Sequence, residues 1–144
     1  MRPMPAVPTS RQRPAAPAAA ETLLDRYVHQ LAELTGMVSC CVFELSSGRP
    51  LAHAGASPGA DDLAGHGTEL LASIAGTCRA MGLGHAIPDA AITLGAHHLL
   101  LRAVPKHPGL ALHAVLDKTH ANLTLARLQV QRMDAIFDEP APPA

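Results

Sequence analysis

Tryptophan is absent from this 144-residue chain, and aromatic residues make up only 2% of it, with one Tyr and two Phe. Nucleic-acid binding by base stacking needs aromatic platforms, so their scarcity argues against that class of function. Charge does not compensate. Lys plus Arg is 11, Asp plus Glu is 12, and the formal net charge is −1. A near-neutral chain exerts no global pull on a polyanion or an anionic membrane. Cysteine is sparse, with only Cys40, Cys41 and Cys78. An odd number that includes a vicinal pair is a poor disulfide framework and fits a reducing compartment. The N-terminus runs Met4-Pro5-Ala6-Val7-Pro8 with no apolar signal core, and no apolar run reaches the length of a membrane span. A cytoplasmic location without membrane insertion is expected.

Signatures of catalysis and cofactor binding are also lacking. No G-x-x-x-x-G-K-S/T occurs, so no phosphate-cradling loop of that type is expected. Gly82-Leu83-Gly84-His85 follows a helical segment rather than a strand, which rejects a dinucleotide-binding reading. The nine histidines are unusual, yet none stands in an H-E-x-x-H or Cys-x-x-Cys context. His97 and His98 are adjacent, so in a strand they point to opposite faces and do not share a metal. Cys40 and Cys41 lie inside an apolar run and read as inert, buried thiols. Ser46-Ser47 lacks a nucleophile-elbow context. The expectation is a protein that is not an enzyme, with no catalytic residues, cofactor or metal.

What is present is a regular alternation of helical and strand patterns. Residues 1–19 are rich in Pro and Ala, carry three Arg and no acid, and read as a disordered tail. Residues 20–36 place Leu24, Val28, Leu31 and Leu34 on one helical face, with Gly36 as a stop. Residues 37–45 form a near-continuous apolar run, the mark of a strand covered on both faces. Ser46-Ser47-Gly48 is a turn into a return strand over 49–54, with Pro50 placing that strand at a sheet edge or standing at its very start. Residues 57–81 read as a helix, with Ser57 as cap and Pro58 in the first turn. Its stripe is Gly67, Leu71, Ile74, Cys78 and Met81, widened by Leu63 and Leu70. Its interior glycines each cost roughly 1 kcal/mol against Ala, which suggests close approach of another backbone.

Strands follow within 86–94, over 97–104 and over 110–116, separated by Gly95-Ala96 and by the Pro105–Gly109 loop. A last helix over 119–138 carries the stripe Leu123, Ala126, Val130, Met133 and Phe137. The order is α-β-β-α-β-β-β-α. Short connections make the strands antiparallel, so the expected architecture is a five-stranded antiparallel sheet covered by helices. The domain spans 20–139, and 140–144 is a fraying end.

That order resembles the roadblock family of dynein light chains and their bacterial MglB-like relatives, a roadblock/profilin-like α/β fold. Four segments carry the resemblance. The first is Leu31–Glu44, a helix end and Gly before a buried strand. The second is Ser47-Gly48-Arg49-Pro50-Leu51-Ala52, similar to the family's D-G-x-x-L-A hairpin with Ser in place of Asp. The third is the small-residue helix 61–81. The fourth is Leu116–Arg127, which contains an N-L-x-L-x-R helix start. The resemblance implies homodimers or heterodimers built through the middle helix and the strand after it. It also implies partnership with a small Ras-like GTPase, whose switch regions the domain would reshape while the GTPase supplies the catalytic machinery.

Two functions remain open on this reading. One is a non-catalytic dimerising scaffold or regulator, in a GTPase-activating or adaptor role. The other is a sensory or small-ligand-binding module, which would need a closed apolar cavity between sheet and helix. The candidate dimer interface is Gly67, Leu71, Ala72, Ala75 and Gly76 on the helix, with Ala90, Ile92 and Leu94 on the strand. Small residues permit close packing there, and an edge strand offers unpaired backbone groups.

Overall fold

A computed structural model describes residues 22–85 and 88–138. The expected tails, 1–19 and 140–144, lie outside the described residues, as do Ala86 and Ile87 of the segment 86–94. Helix α1, Leu23–Ala32, opens on a capping box. The Asp25 amide donates to Thr22 Oγ1 at 3.1 Å, and the Thr22 amide donates to the Asp25 carboxylate at 3.2 Å. The helix is shorter at both ends than the 20–36 pattern suggests. It stops before Gly36, whose φ of +85° turns the chain into the sheet. A side chain at Gly36 would also stand 2.6 Å from Ala121 Cβ.

Strand β1, Met37–Glu44, and strand β2, Pro50–Gly55, form the expected hairpin. Ser47 ties the turn together through its side chain. Its hydroxyl donates to Glu44 at 2.6 Å and accepts from the Arg49 amide at 3.2 Å. Helix α2 runs Ala60–Ala80 with Gly59 at the cap position and no side-chain cap bond. The expected cap Ser57 and first-turn Pro58 instead lie in the loop before it, joined by a cis peptide bond. Strand β3 is only Ala90–Thr93, followed by β4, His97–Ala103, and β5, Leu110–Asp117. Helix α3, Leu123–Met133, begins at Asn122, whose side chain accepts from the Leu125 amide at 2.9 Å. Its last turn tightens into a 3-10 turn, Asp134–Asp138.

The strands lie in the order β2-β1-β5-β4-β3, all neighbours antiparallel. β5 is central and is buried on both faces, not on one alternating face. Alternation sorts the side chains into two cores. Cys40, Val42, Leu100, Leu112, Ala114 and Leu116 pack beneath α1 and α3 with Tyr27, Val28, Leu31, Ala126 and Val130. Cys41, Phe43, Leu101, Ala111 and Val115 pack on the other face beneath α2 with Leu63, Ala64 and Leu71. The molecule therefore has three layers, with two helices on one face and one on the other.

The α1/α3 face is closed at its rim by polar and aromatic contacts. Arg102 on β4 makes a two-pronged bond to Asp134 at 2.7 and 2.9 Å. The rings of Tyr27 and Phe137 meet edge to face at 4.8 Å. Met133, expected to be enclosed, is half-buried and lines a surface groove with Leu34 and Ile136. The helix tightens just after it, so its side chain sits at the margin of α1. Met133→Ala should therefore cost clearly less than the roughly 2–5 kcal/mol of an enclosed Met. Urea denaturation measures this, and a loss above about 3 kcal/mol would place the side chain inside the core.

Candidate protein–protein interface

The α2 face of the sheet is only partly covered. α2 lies over β1, β2 and β5. Leu63, Ala64, Gly67 and Leu71 are its buried residues, all in its first twelve positions. Beyond Leu71 the helix has no buried residue, and Ala72 is exposed while Ala75 and Gly76 are half-buried. A Cβ built at Gly76 meets nothing within 4 Å, so this stretch faces open space. Met81 and Leu83, just past the helix end, are 60% and 69% exposed. These are large apolar side chains that the monomer leaves in water.

β3 stands at the end of the sheet and, among the described residues, pairs only with β4. Its outer edge therefore offers backbone donors and acceptors to another strand. Ala90 and Ile92 are half-buried against the α2-side core, and Leu94 is 47% exposed. Two open grooves flank these elements. One, of about 230 Å³, is lined by Leu71, Ala72, Ala75 and Pro88. The other, of about 390 Å³, is lined by Val38, Leu94, Leu99 and Val115.

The eight candidate residues thus divide into two groups. Ala72, Ala75 and Gly76 on α2, and Ala90, Ile92 and Leu94 on or beside β3, are half-buried or exposed. Gly67 and Leu71 turn the other way and serve their own chain. A Cβ at Gly67 would stand 2.8 Å from Phe43 Cζ and 3.1 Å from His113 Nδ1, and Leu71 is 3% exposed. The close approach suggested by the glycines is therefore, at Gly67, an approach to the sheet beneath. Met81 and Leu83 were missing from the sequence-derived set. The signal for Met81 was present, because its stripe continues past the part of the helix that the sheet can cover.

Elsewhere, the thiols and imidazoles have structural surroundings. Burial pushes the Cys40 thiol up to about 12 and the Cys41 thiol up to about 11, so both stay protonated at neutral pH. Several histidine rings are tied to neighbours. His53 faces the Pro58 carbonyl at 3.3 Å, His98 meets the Thr93 hydroxyl at 2.9 Å, and His120 meets Asp117 at 2.7 Å. His97 is exposed while His98 is buried, the two-sided arrangement expected of adjacent strand residues. Among the described residues no group of three His, Cys, Asp or Glu side chains could hold a metal ion. The hollow lined by Leu100, Arg102 and Val130, between the sheet and α3, measures about 10 Å³, room for one water rather than a small molecule. No helix among the described residues is long and apolar enough to cross a membrane.

Helix order, strand order and the placement of two helices against one define a roadblock-like α/β fold. Comparison with solved structures gives the same class. The Roadblock/LC7 domain from Streptomyces avermitilis superposes with a TM-score of 0.66 at 14% identity, covering 76% of this chain and 90% of that one. MglB from Myxococcus xanthus gives 0.68 at 15% identity, covering 80% and 84%. An MglB structure with a tetrameric arrangement gives 0.63 at 20% identity, covering 76% and 80%. No protein-family model matches the chain, and no curated protein does.

Proposed function

We propose that this chain is a non-catalytic dimerising scaffold or regulator that acts by protein contact. The observation that carries the reading is the unpaired β3 edge beside the uncovered half of α2. A second copy related by a two-fold axis would add its β3 to this edge and continue the sheet. The same operation would bring exposed Ala72 and half-buried Ala75 and Gly76 against their counterparts, where small side chains allow backbones to approach. Met81, Leu83 and Leu94 would leave water in the same step. The tetrameric arrangement of one MglB structure is in keeping with such assembly.

The likeness to MglB extends the proposal to a partner, a small Ras-like GTPase whose hydrolysis or placement the dimer would regulate. The dimer has the more direct test. Light scattering at about 50 µM, permissive for a modest interface, is expected to give twice the chain mass. Ala72→Arg and Ile92→Lys should each shift it to monomer with unchanged circular dichroism. A monomeric wild type would overturn the homodimer and leave a heterodimer with a related chain. For the GTPase, phosphate release by a small GTPase of the same host is measured with and without the chain. Neither binding nor a changed rate would remove that part of the reading.

A further inference from the structure

Among the described residues, His113 is the titratable side chain in the sheet layer beneath α2 whose ring has an unanswered polar atom. It sits in the middle of β5 and is 4% exposed. Its Nδ1 lies 2.9 Å from the Leu63 carbonyl of α2. A carbonyl only accepts, so Nδ1 carries the hydrogen and donates. Nε2 is then a bare lone pair, buried and without a hydrogen-bond partner. The ring is packed against Gly67, where a Cβ would stand 3.1 Å from Nδ1. His113 thus bonds directly to the first turn of α2 and fills the space that Gly67 leaves.

Among the described residues, no acceptor is bonded to Nε2. Across β1 the directly opposed residue is Cys41, whose thiol stays protonated. Beyond it on β2 is His53, turned to the Pro58 carbonyl. Across β4 the opposed residue is Leu101. From α2 the facing titratable group is His66, which opposes a positive charge on the ring; Asp61 acts on Cys41 instead. Protonation at Nε2 would therefore create a buried cation with an unbonded N–H. That state is relieved when the helix lifts and water reaches the ring.

We propose that His113 is an acid-sensitive latch on α2: proton uptake at Nε2 releases the helix from the sheet and dismantles the surface that α2 presents. The direction of the linkage follows from burial, which outweighs the opposing bond to the Leu63 carbonyl and, with His66, lowers the proton affinity of the closed form below the ordinary 6.5. The open form binds the proton first. The contribution of neutral His113 to closure is present above about pH 6.5 and is lost progressively as pH falls below it, toward the lower value of the closed form. The consequence for assembly rests on the dimer reading above; the latch itself does not.

The test is amide hydrogen exchange of the full chain, followed by mass spectrometry of peptides from 60–80, between pH 7.5 and 5.0. After correction for the intrinsic exchange rate, the opening constant of α2 should rise as much as tenfold per pH unit below about 6.5. His113→Gln keeps a donor for Leu63 but does not titrate, so its corrected opening constant should be flat. Identical profiles for the two proteins would overturn the latch. If the Gln variant does not fold, ring NMR of the wild type decides. A His113 that titrates at its ordinary value while α2 stays protected overturns the proposal; one that titrates together with α2 opening supports it. Light scattering on the same samples separates the two readings. Acid opening of α2 in a chain that is monomeric at every pH would sink the dimer and leave the latch standing.

Discussion

Replacing Phe43 by Ala is expected to remove about 3–5 kcal/mol of unfolding free energy. The ring is fully buried on the α2 side of β1, in a cluster with Leu63, Ala64 and Leu71. It fits beneath Gly67, where a Cβ would come within 2.8 Å of its tip. Gly67 and Phe43 are therefore one packing unit, a missing side chain on the helix and a large one on the sheet. Truncating the ring leaves a cavity directly beneath Gly67, which has no side chain to fill it. Domains of this size hold about 5–15 kcal/mol in all, so the variant would be near its threshold. Urea denaturation should show a lower midpoint with an unchanged slope. A loss below about 1 kcal/mol would mean that α2 does not rest on this ring.

Gly55→Ala should be comparably severe, at about 2–6 kcal/mol, for a reason of backbone rather than burial. Gly55 ends β2 with φ +97°, a conformation that strains any L side chain. It is also the register partner of Ser39, and an added Cβ would lie 2.7 Å from Ser39 Cα and collide with the Val38 carbonyl oxygen. Both neighbours are main chain in β1, so relief would require unpairing the hairpin end. Thermal unfolding followed by circular dichroism reads the loss. A variant that melts with the wild type would show that this strand end relaxes freely.

These two positions differ in how far the sequence reveals them. Phe43 is visible as a large apolar residue in a two-sided strand run, and its burial follows from that pattern. Nothing local marks Gly55, which follows the short return strand and precedes a Ser-Pro-Gly loop. Its importance comes from β1 lying across from it. Gly67 is intermediate: the sequence shows a glycine on the apolar stripe, but not whether the backbone it admits belongs to the same chain or to another. The structure places Phe43 and His113 there, and so moves Gly67 and its neighbour Leu71 from the surface into the core.

The sequence by itself determined the order of helices and strands, the hairpin that joins the first two strands, and the division of β5 into Leu112, Ala114 and Leu116 on one face. Each of these follows from periodicity or stereochemistry within a single segment. An α-helix repeats every 3.6 residues and a strand every two, whatever lies beyond. Only the tertiary structure decided the rest: the insertion of β5 between β1 and β4, the assignment of two helices to one face and one to the other, and the half of α2 left uncovered. Those outcomes depend on pairings between residues dozens of positions apart. An apolar stripe states that something must cover it, and the lengths and positions of distant elements determine what does. Met133 and Met81 stand on equally regular stripes. They end half-buried and exposed because the surfaces beneath them run out.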